Sequence, residues 1–82
     1  MATATTPEEA ARQVLRVFQK FNTQPGGAIE GGAFLGPFSS LGWTADDLRA
    51  GMEYALQQGW IRHVGPDAIT LTKAGFAEIA DA

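Results

Sequence analysis

Few residues in this sequence have the types and spacing that a reaction needs. His63 is the only histidine, the chain has no cysteine, and the glycine-rich residues 26–32 lack the Lys-Ser/Thr ending of a phosphate-binding loop. A histidine base works with a nucleophile and an orienting group, and a metal site needs several ligands. The neighbours Arg62 and Val64 supply neither. We therefore expect a surface histidine, no catalytic, metal-binding or cofactor-binding residues, and no enzyme activity.

Basic residues recur at every fourth position near the N-terminus. Arg12, Arg16 and Lys20 would lie on one side of a helix, and Glu8 stands where it can pair with Arg12. A solvated helix face accounts for such a stripe. The alternative is docking to an acidic partner or to a phosphate backbone, so these three basic residues are candidates for partner contact.

The length and composition indicate one small domain. The chain has 82 residues, of which 45% are hydrophobic, and a net charge of −3. These values suit a folded domain with a small core and are too apolar for a disordered chain. No apolar run approaches the roughly 18 residues that span a bilayer, and residues 1–6 do not resemble a signal peptide. Together with the missing cysteines, this predicts a soluble cytoplasmic protein.

The first predicted helix has a clear start. Thr6, Pro7 and Glu9 form a capping-box pattern with proline at the first helical position. Apolar residues then recur with helical spacing up to Asn22, and Pro25 with two glycines interrupts the pattern. The predicted inner face consists of Ala10, Ala11, Val14, Leu15, Val17, Phe18 and Phe21.

Two further helices are predicted in the middle of the chain. Residues 28–30 form a short extended piece, and residues 33–41 form an imperfect helix around Gly36-Pro37. Its expected core contacts are Phe34, Leu35, Phe38 and Leu41. A second capping box, Thr44 with Asp47, starts the third helix. The inner face of that helix is predicted to hold Leu48, Met52, Ala55 and Leu56.

The apolar period then changes to two, which predicts a hairpin. Residues 60–64 and 68–72 read as strands joined by the turn residues Gly65-Pro66-Asp67. Gly59 stands where a left-handed residue ends the third helix, and Thr72 caps a last helix over residues 73–80. The inward strand residues are predicted to be Ile61, Ile69 and Leu71, in one core with Leu56, Phe18 and Leu15.

Two segments carry a family resemblance. Residues 54–61, Tyr-Ala-Leu-Gln-Gln-Gly-Trp-Ile, precede the hairpin, and residues 69–75, Ile-Thr-Leu-Thr-Lys-Ala-Gly, end it. They resemble bacterial winged-helix transcription regulators, which often show Leu-x-x-Gly-x-Ile before the wing and Leu-Thr-x-x-Gly after it. The resemblance implies an α+β winged helix-turn-helix domain, which we expect over residues 7–80. Residues 1–6 are expected to form a disordered tail before it. Such a domain has a three-helix core, a two-stranded β-hairpin wing and a short C-terminal helix.

The resemblance also implies which surfaces would meet DNA. In such regulators the third helix enters the major groove and the hairpin touches the DNA backbone or minor groove. The candidate contacts on the third helix are Asp46, Arg49, Glu53, Tyr54 and Gln57, and the candidate wing contact is Arg62. Asp46, Asp47 and Glu53 outnumber Arg49 on that helix, and Asp67 occupies the hairpin turn. This acidic balance would repel phosphates.

Two functions therefore remain open at this point. The favoured one is a non-enzymatic protein-interaction or regulatory module with an acidic recognition surface, whose partner is an unidentified protein or a second copy of the chain. The alternative is a DNA-binding transcription regulator of the winged-helix type. The charge pattern predicts that any DNA binding is weak at physiological salt.

Overall fold

The computed structural model describes residues 6–80, which form an α+β domain with four α-helices and a three-stranded antiparallel sheet. The helices and strands, in chain order, are α1 (Pro7–Lys20), β1 (Ala28–Glu30), a 3-10 turn (Gly31–Phe34), α2 (Leu35–Ser40), α3 (Ala45–Gln57), β2 (Ile61–Val64), β3 (Ala68–Leu71) and α4 (Lys73–Ala80). Of the predicted N-terminal tail, residues 1–5 lie outside the described residues, and Thr6 is the N-cap of α1.

The ends of α1 follow from local chemistry. The Thr6 hydroxyl accepts a hydrogen bond from the Glu9 amide at 3.1 Å, and the Glu9 carboxylate accepts one from the Thr6 amide at 3.0 Å, which confirms the capping box. The helix ends at Lys20 rather than Asn22, because Asn22 has a φ of 54°, in the left-handed region. Phe21 is consequently the C-cap residue and is 50% exposed, so its predicted place on the inner face is wrong.

The helices α1 and α3 pack against each other at very short range. Gly51 and Ala55 are the buried residues of α3, and Gly51 lies against Ala10 of α1. A Cβ placed on Gly51 would come within 2.6 Å of the Ala10 carbonyl carbon, so the absence of a side chain there sets the distance between the helices. Leu56 follows Ala55 by one residue, about 100° around the helix, and is half-buried at the side of the core rather than within it.

The sheet has the order β1-β3-β2, and both pairings are antiparallel. The predicted hairpin is confirmed to within a residue, with Ile61 opposite Leu71. The sequence did not predict that residues 28–30 join this hairpin as a third strand: β1 pairs with β3 and places Ile29 opposite Ile69. Backbone hydrogen bonds between residues 26–27 and Leu71 extend this pairing beyond β1. The short β1 is therefore stabilised by the backbone of β3.

The core lies between the helices and the inward face of the sheet. Phe18 and Phe34 meet edge to face with ring centroids 5.4 Å apart. The largest fully buried side chains are Phe18, Phe34, Phe38, Ile61, Leu71, Val14 and Val17. Leu15 and Ile69 are also buried. The predicted common core is thus confirmed except for Leu56.

Two of the four core contacts predicted around α2 are wrong. Phe34 and Phe38 are buried, whereas Leu35 is 44% and Leu41 is 51% exposed. Leu35 directly follows Phe34, the last residue of the 3-10 turn, so the two side chains are about 100–120° apart around the chain axis. Leu41 lies beyond the last helical residue, and Trp43 instead packs on Phe38, with ring centroids 5.3 Å apart.

Hydrogen bonds and close packing hold the start of α4 against the residues that join α3 to the hairpin. The Thr72 hydroxyl accepts a hydrogen bond from the Gly75 amide at 3.0 Å, which confirms the predicted cap. Gly75 is buried directly against the backbone of Trp60, where a Cβ would collide with the carbonyl group. Gly59 has the expected left-handed conformation, with a φ of 77°. The residues of the two resemblance segments therefore serve to pack and cap these elements.

Candidate partner-binding surfaces

Arg12 is engaged within the domain. Its guanidinium lies 3.4 Å from the Glu8 carboxylate and 3.1 Å from that of Glu78 on α4, and it covers the ring of Trp60 at 5.1 Å from the centroid. Only the contact with Glu8 follows from spacing along α1. Arg12 therefore joins α1, α4 and the start of the hairpin, a positioning role that the helical stripe does not reveal.

The other two residues of the predicted basic stripe face solvent. Arg16 and Lys20 are exposed, and the single hydrogen bond of Arg16 is a 3.3 Å contact with the side chain of Gln13. Beside Arg16, a narrow cleft of about 60 Å³ runs between α1 and α4. Its lining residues are Arg12, Leu15, Arg16, Gln19, Glu78 and Ile79. The cleft is too small for a ligand, since ligand pockets typically measure about 300–1,000 Å³.

The outward side of α3 carries the predicted recognition residues. Asp46, Arg49, Glu53 and Gln57 are exposed. Asp47 is not available in the same way, because its carboxylate accepts a 2.9 Å hydrogen bond from the Thr44 amide in the capping box. The exposed charges on this side of α3 are therefore two carboxylates against one guanidinium.

A shallow groove separates this side of α3 from the start of α1. It measures about 240 Å³, and its lining residues are Pro7, Ala50, Glu53, Tyr54 and Gln57. Tyr54 is half-buried, and its ring meets Trp60 edge to face with centroids 5.8 Å apart. The groove thus combines a fixed aromatic ring and two small apolar residues with a charged and an amide side chain.

The hairpin separates its acidic and its basic residue. Asp67 lies in the turn, where its carbonyl oxygen accepts a 2.7 Å hydrogen bond from the Gly31 amide. Arg62 stands opposite Thr70, away from the turn. Because strand side chains alternate between faces, Arg62 and Thr70 point away from the core that Ile61 and Leu71 enter. The predicted wing contact therefore belongs to the outward face of the sheet.

A second groove, which sequence reasoning missed, lies on that outward face. It brings together Arg62 of β2 and Lys73, the first residue of α4, around Thr70. The period-two pattern of the hairpin predicts that Arg62 points outward. Its proximity to Lys73 depends on the register of β2 against β3 and on the path of the chain after Thr72.

The remaining residues that could act as a base or as metal ligands are His63 and the acidic side chains. His63 is exposed on β2. Within residues 6–80, no three His, Cys, Asp or Glu side chains are grouped so as to hold a metal ion. None of the helices in this part of the chain is long and apolar enough to cross a membrane.

Comparison with known proteins yields no relative: no protein-family model matches the chain, and no curated protein or solved structure matches it either. The function must therefore be inferred from the surfaces themselves. Of the surfaces that contain predicted contact residues, the groove beside α3 is the one whose lining includes both an aromatic ring and a charged residue.

Proposed function

We propose that this chain is a winged-helix domain. Its support is the order of α1, β1, α2, α3, β2 and β3, together with a sheet of order β1-β3-β2 in which the hairpin directly follows α3. The family-like residues also have matching structural roles. Gly59 ends the turn after α3, Thr72 caps α4, and Gly75 allows α4 to approach Trp60.

We further propose that the domain is a non-enzymatic protein-interaction module acting in the cytoplasm. The groove between α1 and α3 is the observation that carries this proposal. Its lining combines the apolar or aromatic residues Pro7, Ala50 and Tyr54 with the polar residues Glu53 and Gln57. Protein interfaces likewise combine apolar and aromatic contacts with polar ones. Tyrosine is among the residues that contribute most to binding energy at such interfaces. The lack of cysteine suits a reducing compartment.

The charges around the groove indicate the chemistry of the partner. Glu53 and Tyr54 line one groove, so an arginine or lysine of the partner can pair with the carboxylate while its stem packs on the ring. Such a side chain would be less suited to the outward face of the sheet, where Arg62 and Lys73 are located. The partner surface is therefore a basic one, on another protein or on a second copy of this chain.

DNA is the less favourable partner for the same surface. A regulator that makes about 6 to 10 phosphate contacts needs many cations, and Arg49 is the one basic residue among the predicted α3 contacts. Asp46 and Glu53 on the same side, Asp67 in the hairpin turn and the net charge of −3 all oppose the approach of a duplex.

Site-specific photo-crosslinking tests the interaction directly. A photoreactive phenylalanine analogue replaces Gln57 in the groove or, as the control, the exposed Ser39 on α2. We expect one protein, or a second copy, to be captured from position 57 and not from position 39. Glu53→Lys should lower that yield several-fold, because it places a positive charge opposite the basic surface of the partner. Glu30→Lys makes the same charge change elsewhere and should leave the yield unchanged. Equal capture from both positions would contradict the proposal.

An NMR titration with a pool of DNA duplexes tests the alternative. At physiological salt we expect dissociation constants no tighter than about 10⁻⁴ M, the weak end of non-specific binding. Reversing the two exposed acids on the outward side of α3, with Asp46→Lys and Glu53→Lys, should strengthen DNA binding, whereas Arg49→Ala should have little effect. Sub-micromolar, sequence-selective binding that is lost on changing Arg49 or Gln57 would instead establish a DNA-binding regulator.

A further inference from the structure

The groove on the outward face of the sheet has the composition of an anion site. Its volume is about 310 Å³, at the lower end of the range of about 300–1,000 Å³ for ligand pockets. Its lining residues are Pro25, Gly26, Arg62, Thr70, Leu71, Thr72 and Lys73. Two of them are cationic and none is acidic, in a chain whose net charge is −3.

Arg62 and Lys73 make no ion pair with any other residue in the part of the chain that the structure describes. Among residues 6–80, the ion pairs are those of Arg12, and neither groove cation makes one. On the same sheet face the nearest strand carboxylate is that of Glu30, one row further along and two strands across from Arg62. Strand spacings put the Cα atoms of Glu30 and Arg62 about 12 Å apart, and no ion pair joins their side chains. The two cations therefore remain available to an anion from solution.

The hydroxyl groups of the two threonines that line the groove already make hydrogen bonds within the domain. The Thr70 hydroxyl donates to the carbonyl oxygen of Gly27 at 2.8 Å. The Thr72 hydroxyl donates to the Gly59 carbonyl oxygen and accepts from the Gly75 amide. The side-chain donors left for a ligand are thus the guanidinium of Arg62 and the ammonium of Lys73. Two cations that line one groove suit a ligand that concentrates two negative charges on one small group.

We propose that this groove binds a phosphomonoester dianion. A phosphomonoester carries a charge of about −1.5 to −2 at pH 7 and three acceptor oxygens. The planar guanidinium can bind two of these oxygens, and the ammonium can bind the third as a point charge. The proposal concerns a face of the domain different from the α3 groove and stands independently of the protein-interaction role.

A nucleotide base or a duplex fits the groove less well. No aromatic residue lines it, so a base has no ring on which to stack. A duplex spreads one charge over each 1.7 Å or so of its length, whereas the groove provides only two cations. The rest of an extended polyanion would face an acidic domain. A single phosphate group can use the local positive field without that long-range repulsion.

Heteronuclear NMR with three probes tests the site. The probes are inorganic phosphate, a short glycine-rich peptide containing phosphoserine, and the same peptide without phosphate. We expect saturable shifts of the Gly26, Thr70 and Lys73 amides with dissociation constants on the order of 10⁻⁴ to 10⁻³ M, as befits two exposed charge contacts. Arg62→Gln combined with Lys73→Gln should weaken binding by roughly tenfold or more. The matched control, Lys20→Gln with Arg49→Gln, removes the same charge elsewhere and should bind within about twofold of the unmodified chain.

The outcomes decide whether the groove binds a phosphate group and, if it does, whether a small phosphate or a phosphorylated protein is the ligand. Equal affinity for inorganic phosphate and the phosphopeptide supports the site with a small phosphate ligand. Affinity at least about tenfold higher for the phosphopeptide supports it with a phosphorylated protein. Equal loss of binding in the control, equal shifts from the unphosphorylated peptide, or no saturation up to about 10 mM phosphate would each overturn the proposal. The α3 cross-linking result is unaffected by any of these outcomes.

Discussion

Gly51→Ala should destabilise the domain although it improves the intrinsic helix propensity of α3. In an open helix position, replacing glycine with alanine stabilises by about 1 kcal/mol. At position 51 the new Cβ would lie 2.6 Å from the carbonyl carbon, 2.7 Å from the Cβ and 2.8 Å from the carbonyl oxygen of Ala10. The shortest of these is about 0.8 Å below the 3.4 Å at which ordinary contact begins. The obstructing atoms include backbone, which cannot rotate away.

The magnitude follows from the two opposing terms. Overpacking of a core costs about 1–3 kcal/mol, and the rigid obstruction at Ala10 places this case at the upper end. Subtracting the propensity gain leaves a net loss of about 2 kcal/mol in the free energy of unfolding. For a domain of this size each kcal/mol shifts the melting temperature by about 4–8 °C, so we expect Tm to fall by roughly 8–16 °C.

Urea unfolding followed by circular dichroism and tryptophan fluorescence measures the change. Gly32→Ala is the matched control, because Gly32 is exposed, its φ is not positive, and a Cβ there meets nothing within 4 Å. It should be neutral or stabilising by up to about 1 kcal/mol. Adding Ala10→Gly should not rescue Gly51→Ala, since the backbone atoms of residue 10 remain. A Gly51→Ala protein as stable as the unmodified chain would refute the inferred closeness of α1 and α3.

Three further substitutions test the packing and the caps by the same measurement. Leu71→Ala, at a fully buried site, should cost about 2–5 kcal/mol, while Leu41→Ala, at a site 51% exposed, should stay within about 0.5 kcal/mol; similar losses would contradict the assigned burial. Arg12→Ala should cost about 1 kcal/mol by removing two partly exposed ion pairs and the contact with Trp60; Arg12→Lys should recover only part of this, and no loss would show that the contacts are not energetically significant. Thr72→Ala should cost about 0.5–2 kcal/mol through loss of the α4 cap, with Thr72→Ser close to the unmodified protein; equal losses would exclude the cap as the cause.

Features governed by neighbours in the chain could be read from the sequence. The capping boxes at Thr6 and Thr44 involve partners three residues away. The left-handed Gly59 and the tight turn after Val64 are likewise local requirements. The pattern of Ile61, Ile69 and Leu71 predicted the inward face of the hairpin, because side-chain alternation is a property of the extended backbone.

Two of the errors in the core concern where a helical pattern stops. Phe21 and Leu41 fit the helical spacing, but each lies just beyond the last helical residue and is about half exposed. Leu56 fits it too, yet the close packing at Gly51 brings Ala55 rather than Leu56 towards α1. Spacing identifies one side of a helix, whereas the depth to which each residue is buried depends on the approach of its neighbours.

The candidate sites could be predicted from the sequence only in part. Composition and helix position predicted an acidic, exposed side of α3, because charge and helical phase are both local. The groove that Tyr54 lines, the engagement of Arg12 with Glu78 and the meeting of Arg62 with Lys73 were decided by tertiary structure. Each of them joins elements that are separate in the chain. Their relative placement depends on the α1–α3 distance and the β1-β3-β2 register, which arise from the packing of all the elements at once.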